Sequence, residues 1–249
     1  NIRMRYVLLG TLLALSLFGT GCGMTFLNPV QSANNLDADG NNPLCTLTEQ
    51  DYDDLGAGSP AEPFILCTPQ QLMSLMASAV DLDKSFELGR DIDLTGFDES
   101  NGIHPIGSSA IPFTGVFDGA DYEISNLSFA GATGNGLGLF SAMSGNAVVR
   151  DLGLVNVMIV GADVWDVGAV VGLVQAGATG VLIQNVAVSG QLESSDGFSC
   201  VASLAGVTNG VTGIVDSNSS ADVEDLGSEC TGGLVGYVAG GTTTIAGSS

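Results

Sequence analysis

Hydrophobic and polar positions along this chain fall into three patterns. Residues 7–18 form a predominantly apolar run. Apolar residues at 72, 73, 75, 76 and 79 then recur at the spacing of one helical face. Thr68 stands where an N-cap belongs, Pro69 at the first helical position, and Gln71 where it completes a capping box, so one short helix is predicted from about residue 69. From residue 86 onward the pattern changes to short runs of Val, Ile, Leu and Phe separated by Gly, Asn, Asp and Ser. Such runs predict strands, because β-branched side chains suit a pleated surface and glycine supplies the turns.

The strand runs repeat. Gly168-Ala169-Val170-Val171-Gly172, Ala202-Ser203-Leu204-Ala205-Gly206 and Gly232-Gly233-Leu234-Val235-Gly236 are copies of one pentapeptide, with a degenerate copy at Gly138-Leu139-Phe140-Ser141. The copies end at 141, 172, 206 and 236, so the unit is about 30 residues. A second phrase follows each copy: Val149-Arg150-Asp151-Leu152, then Ile183-Gln184-Asn185-Val186, then Val215-Asp216-Ser217-Asn218, with a last one beginning at Ile245. A period of this length marks a stacked repeat, and it is too short for a propeller blade of ~40 residues. The fold class expected is all-β: a parallel β-helix or β-solenoid with coils of about 30 residues and a short N-terminal capping helix.

Cys200 and Cys230 each lie two residues before a pentapeptide copy. In stacked coils they would be about one strand spacing, roughly 4.8 Å, apart, which suits a disulfide between neighbouring coils. Cys45 and Cys67 flank the approach to the helix and are the remaining pair, consistent with an oxidising, exported compartment.

At the pentapeptide copies the sequence resembles the GLUG-motif repeat family, found in bacterial surface proteins and beside some IgA-cleaving metallopeptidases. The resemblance extends back through Phe86–Leu94, Pro105-Ile106-Gly107, Phe113–Gly119 and Ile124-Ser125-Asn126-Leu127, which look like the coils that lead into such repeats. It covers about residues 64–249 and speaks for architecture, not activity. The copy at 202–206 departs from the pattern, with Ser203 and Ala205 where the last copy has Gly and Val.

The N-terminus carries a targeting pattern. Arg3 and Arg5 precede the apolar run, which is too short to span a bilayer and has the proportions of a secretory signal. It closes on Gly19-Thr20-Gly21-Cys22, which resembles a bacterial lipobox, so 1–21 are expected to be removed and Cys22 lipidated. A plain signal peptide with an incidental cysteine is the alternative. Gly23 follows Cys22, where an aspartate would favour the inner membrane, so an outer-membrane or cell-surface location is expected. Met4 is the expected natural start, and the break after Ile245 suggests a solenoid incomplete at its C-terminus. Residues 22–60 are expected to form an acidic flexible tether, 61–85 a capping helix segment, and 86–249 the solenoid.

The chain holds 27 acidic and 5 basic residues, a net charge of −22. That balance excludes nucleic acid as a partner and reads as solubility for an exposed β-protein. No cofactor is expected, and an acidic linker is the expected reading of the one stretch that points to calcium. Asp37-Ala38-Asp39-Gly40-Asn41 resembles the opening of a calcium loop, but Thr48 stands where the closing glutamate belongs. No catalytic motif is present: His104 is the single histidine, in a position that suits packing or surface exposure. Asp91, Asp93, Asp118 and Asp121 fall in successive lead-in coils and could converge as a glycosidase pair, although aspartate in such turns ordinarily caps backbone amides. The expected function is therefore that of a non-catalytic surface lipoprotein, an adhesive, display or stalk module. It would be held to the membrane by its anchor, with a protein or glycan ligand on other cells or matrix. A carbohydrate-active β-helix and the repeat region of a larger surface peptidase are the alternatives.

Overall fold

The computed structural model describes residues 40–46, 51–134, 136–164, 166–194, 200–225 and 230–249. All belong to one unit, Gln31–Ser249.

Three parallel sheets wind into a β-solenoid. The main sheet stacks Phe64–Leu66, Ser85–Leu88, Val116–Asp118, Val148–Val164, Val181–Ser194, Thr212–Val215 and Thr243–Ala246 as successive rungs. A second sheet stacks Phe140–Met143, Val171–Val174, Ala205–Thr208 and Val235–Val238; a third stacks Asp166–Gly168, Cys200–Ala202 and Cys230–Gly232. The pentapeptide spacing is the coil register itself, since Phe140, Val171, Ala205 and Val235 are direct partners in the second sheet.

One apolar ladder runs through the main sheet. Phe64, Phe86, Phe117, Val149, Ile183, Ile214 and Ile245 are successive register partners. The five from Phe86 to Ile214 are fully buried. The early coils are filled by aromatics: Phe86 lies 5.6 Å from Phe64, 5.7 Å from Tyr52 and 6.4 Å from Phe113, centroid to centroid, and Phe113 lies 4.7 Å from Phe140. Later coils use Val, Ile, Leu and Ala, so the interior narrows as the chain proceeds.

The pentapeptide glycines explain the narrowing. Where the third sheet turns into the second, the two backbones touch. A Cβ on Gly172 would lie 2.5 Å from Gly136 Cα, and one on Gly206 would lie 2.6 Å from Val167 N. The departing copy fits the same geometry, because Ser203 is buried and its hydroxyl donates to the Gly233 carbonyl of the next coil.

The corners of the main sheet turn on residues in the left-handed region. Asp151, Asn185 and Asp216 have φ of 51°, 51° and 50° and occupy equivalent places in three coils; Asn126 and Asn156 do the same at 61° and 53°. Asn and Asp tolerate this conformation because their short polar side chains bond locally. Here they bond between coils: Asn185 Nδ2 donates to Asp151 Oδ1 at 2.8 Å, Asn156 Nδ2 to Asn126 Oδ1 at 2.6 Å, and Asn126 Nδ2 to Asp93 Oδ1 at 2.7 Å.

The N-terminal end corrects three expectations. The segment expected to be a tether through residue 60 is packed where it is described: Cys45, Tyr52 and Leu55 are buried, Asn42 N donates to Gly89 O at 2.7 Å, and Ile65 N to Leu55 O at 3.0 Å. The first rung is Phe64–Leu66, ahead of the helix, so the solenoid begins before residue 86. The helix, Pro69–Ala77, buries Leu72, Leu75 and Met76 in the core, but Ala79 lies beyond its end and is exposed. Thr68 caps it as expected by accepting from Gln71 N at 3.2 Å, whereas the Gln71 side-chain Oε1 reaches back one residue further than a capping box and accepts from Cys67 N at 2.7 Å.

Candidate functional site

A cleft lies on the outer face of the early coils. Glu87 and Asp118 are register partners on adjacent strands, and Arg150 is the next rung. The Arg150 guanidinium meets Asp118 Oδ2 at 2.6 Å and Asp151 Oδ2 at 3.9 Å. Around them Asn42, Leu88, Ala120, Asp121, Tyr122 and Asp151 close a cleft of about 320 Å³. Its rim is held by Ala120, Asp121 and Asp151, whose φ values of 50°, 66° and 51° are rare for residues other than glycine. Tyr122 ties it to the N-terminal segment by donating its hydroxyl to Gly40 O. Burial first, and Asp118 second, push the Glu87 carboxyl above the usual carboxylate range, with Arg150 opposing both.

Of the four aspartates that could have converged, only two meet. Asp118 and Asp121 line the cleft; Asp91 and Asp93 do not. Asp91, Asp93 and Asp118 each serve the backbone or a neighbouring polar group. Asp91 Oδ1 accepts from Glu123 N at 2.9 Å, Asp118 Oδ1 from Ala120 N at 2.9 Å, and Asp93 Oδ1 from Thr95 N at 2.9 Å. Hydrogen bonds from the Thr95 and Asn126 side chains hold Asp93 below the usual carboxylate range. His104 is exposed, its Nδ1 3.2 Å from Pro105 O, and no acid or nucleophile pairs with it among the described residues. Among the described residues no three His, Cys, Asp or Glu side chains are placed to hold a metal ion.

Both cysteine pairs are joined. Cys45–Cys67 spans a Cα separation of 5.3 Å and Cys200–Cys230 one of 4.6 Å. The second pair are direct register partners, as the repeat spacing requires. Cys22, and Asp37 to Asp39 of the loop resembling a calcium site, lie outside the described residues. No helix among the described residues is long and apolar enough to cross a membrane.

Sequence reasoning missed two features. Glu87 was not grouped with the aspartates, although it sits in the same lead-in strand phrase. Asp166 was also missed: it lies two residues before Gly168, the place that Cys200 and Cys230 hold in the next two copies, and it pairs with Cys200. Burial pushes its carboxyl up to about 7.

No protein-family profile matches the chain. Over 171 residues it is 30% identical to halomucin of Haloquadratum walsbyi, a match that covers 67% of this chain and 2% of that protein. Over 101 residues it is 32% identical to a protein of Evansella cellulosilytica provisionally named a Gly-rich membrane protein, covering 40% of this chain and 12% of that one. The chain therefore spans a small part of the length of these relatives. Among solved structures it is similar to a Bacteroides ovatus protein provisionally named an immunoglobulin A1 protease. The TM-score is 0.60 at 24% identity over 76% of this chain and 57% of that one, a likeness of fold alone.

Proposed function

We propose that this chain is a non-catalytic β-solenoid module of an exported surface protein, acting as a stalk, adhesive or display element. The observation that carries this reading is the uninterrupted ladder from Phe64 to Ile245. It makes the described body a rod of stacked coils whose polar corner side chains bond from coil to coil or to the backbone. The two matched relatives, one named halomucin and one a membrane protein, support a surface or membrane-associated setting. The Bacteroides fold match supports the resemblance to GLUG-type repeats and keeps open a place beside a peptidase domain in a longer protein.

In this reading Cys22 carries the lipid that holds the module on the outer membrane or cell surface, residues 22–39 form the tether, and the rod presents itself to a protein or glycan on other cells or matrix. When the native cells are fed an alkyne fatty acid, the full chain takes up the label, Cys22→Ala abolishes it, and external protease removes the rod from intact cells. An unlabelled wild-type chain would refute the anchor. A rod resistant to external protease in intact cells but cleaved after lysis would refute the surface location.

A further inference from the structure

The Cys200–Cys230 bridge is not an isolated staple. Asp166, Cys200 and Cys230 are three consecutive rungs at one position of the third sheet. Register partners on parallel strands project to the same side, so the Asp166 and Cys200 side chains leave the sheet from adjacent positions of strands spaced roughly 4.8 Å apart. Val167 and Val201, the next residues along each strand, are fully buried in the core. Asp166 and Cys200 therefore face away from it. Asp166 is nonetheless half-buried and Cys200 only 7% exposed.

Among the described residues no charge explains the state of this acid. The packed strands Val171–Val174, Cys200–Ala202 and Ala205–Thr208 contain no acidic or basic residue; Val148–Val164 contains Arg150, Asp151 and Asp163, and Val181–Ser194 contains Glu193. Burial alone raises the Asp166 carboxyl to about 7, so below that pH a proton is held beside the bridge.

We propose that Cys200–Cys230 is a thiol-exchange site for small dithiols, with Asp166 as its proton donor. The thiolate of the dithiol attacks Cys230 Sγ, the sulfur one rung further from Asp166. A sulfur–sulfur bond forms to the reductant as the Cys200–Cys230 bond breaks, and Cys200 Sγ leaves with the electron pair and takes the Asp166 proton. The second thiol of the dithiol loses its proton to water, closes its own disulfide and displaces Cys230 as a thiolate; water then protonates Cys230 and returns a proton to Asp166. The bridge gains two electrons and the dithiol loses two. A neutral Asp166 assists the departure of Cys200. An ionised one opposes it, by withholding the proton and by placing a negative charge beside the forming thiolate. Opening the bridge unfastens the outermost described coil from the one before it.

The chain supplies its own control. Cys45–Cys67 has no carboxyl on its rung: Leu66 pairs with Leu88, so Cys67 lies opposite Gly89, and a cation, Arg90, donates from Nη2 to Cys45 O at 2.7 Å. Both bridges meet the same dithiothreitol thiolate in one sample, so the ratio of their reduction rates removes the reductant's own titration. Differential alkylation and mass spectrometry of the full-length protein at a series of pH values reads that ratio. The rate of Cys200–Cys230 relative to Cys45–Cys67 is expected to fall about tenfold between about pH 6 and pH 8, as the neutral fraction of Asp166 falls. In Asp166→Asn, which keeps the shape and removes the titration, the ratio is expected to change by less than about twofold across that range. A flat ratio in the wild type would overturn the proposal without recourse to any variant. A fall of equal size in Asp166→Asn would overturn the role of the carboxyl.

Discussion

Gly172→Ala is expected to destabilise the solenoid by more than about 3 kcal/mol, and Gly233→Ala by less than about 0.5 kcal/mol. The two substitutions add the same methyl group to equivalent copies of one pentapeptide. At Gly172 the new Cβ would sit 2.5 Å from Gly136 Cα, 2.6 Å from Leu137 N and 2.7 Å from Gly136 C. All three are backbone atoms of a neighbouring coil that cannot swing aside as a side chain can, so two sheets must part. At Gly233 nothing lies within 4 Å. Urea unfolding followed by circular dichroism measures the difference. Comparable effects from the two would mean that the glycines serve chain flexibility rather than contact between sheets.

The second large effect is at the aromatic end. Phe86→Ala is expected to cost about 3–5 kcal/mol, since the ring is fully buried and no neighbour can fill the space. It touches Tyr52, Phe64 and Phe113 at once, and so joins the N-terminal segment, the first rung and the lead-in coil. In a stacked protein such a loss acts mainly on neighbouring coils. Amide exchange should therefore accelerate first in the strands Phe64–Leu66 and Ser85–Leu88, with the coil containing Ile214 changing least. Ile245, last in the same ladder but 47% exposed, should lose far less on truncation to Ala. Equal losses at the two positions would contradict the described burial.

Much of the fold is legible in the residues because its repeat is a register. Phe140, Val171, Ala205 and Val235 pair across four rungs at the spacing of the pentapeptide, and the Cys200–Cys230 bridge is that spacing expressed as a covalent bond. The N-terminal boundary is not legible in the same way. Residues 40–60 are polar enough to suggest a tether, yet Cys45, Tyr52 and Leu55, with one disulfide, suffice to pin the described part of them to the first coil. Composition averages over such anchors and hides them.

The carboxylates show the same limit. That Asp118 and Asp121 share a cleft while Asp91 and Asp93 serve other partners depends on corner conformations that spacing alone does not reveal. Ala120 and Asp121, both at positive φ, turn that corner just after Gly119, and nothing in their residue types announces the left-handed conformation. Asp166 was within reach of the repeat arithmetic, but only once the cysteine position is followed back one coil, to a residue that is not a cysteine.

The central claim is that the coils stack in the register of the repeat, and one cross-linking measurement tests it most directly. Glu193 and Glu224 are register partners in adjacent coils, whereas Glu193 and Asp222 are offset by two residues. In a Cys22→Ser background, mild oxidation should close the intramolecular disulfide readily in Glu193→Cys/Glu224→Cys, because parallel partners fall within the roughly 4.4–6.8 Å Cα range of a disulfide. It should close poorly in Glu193→Cys/Asp222→Cys. Preferential closure of the offset pair, or failure of both, would contradict the stacked register on which the account rests.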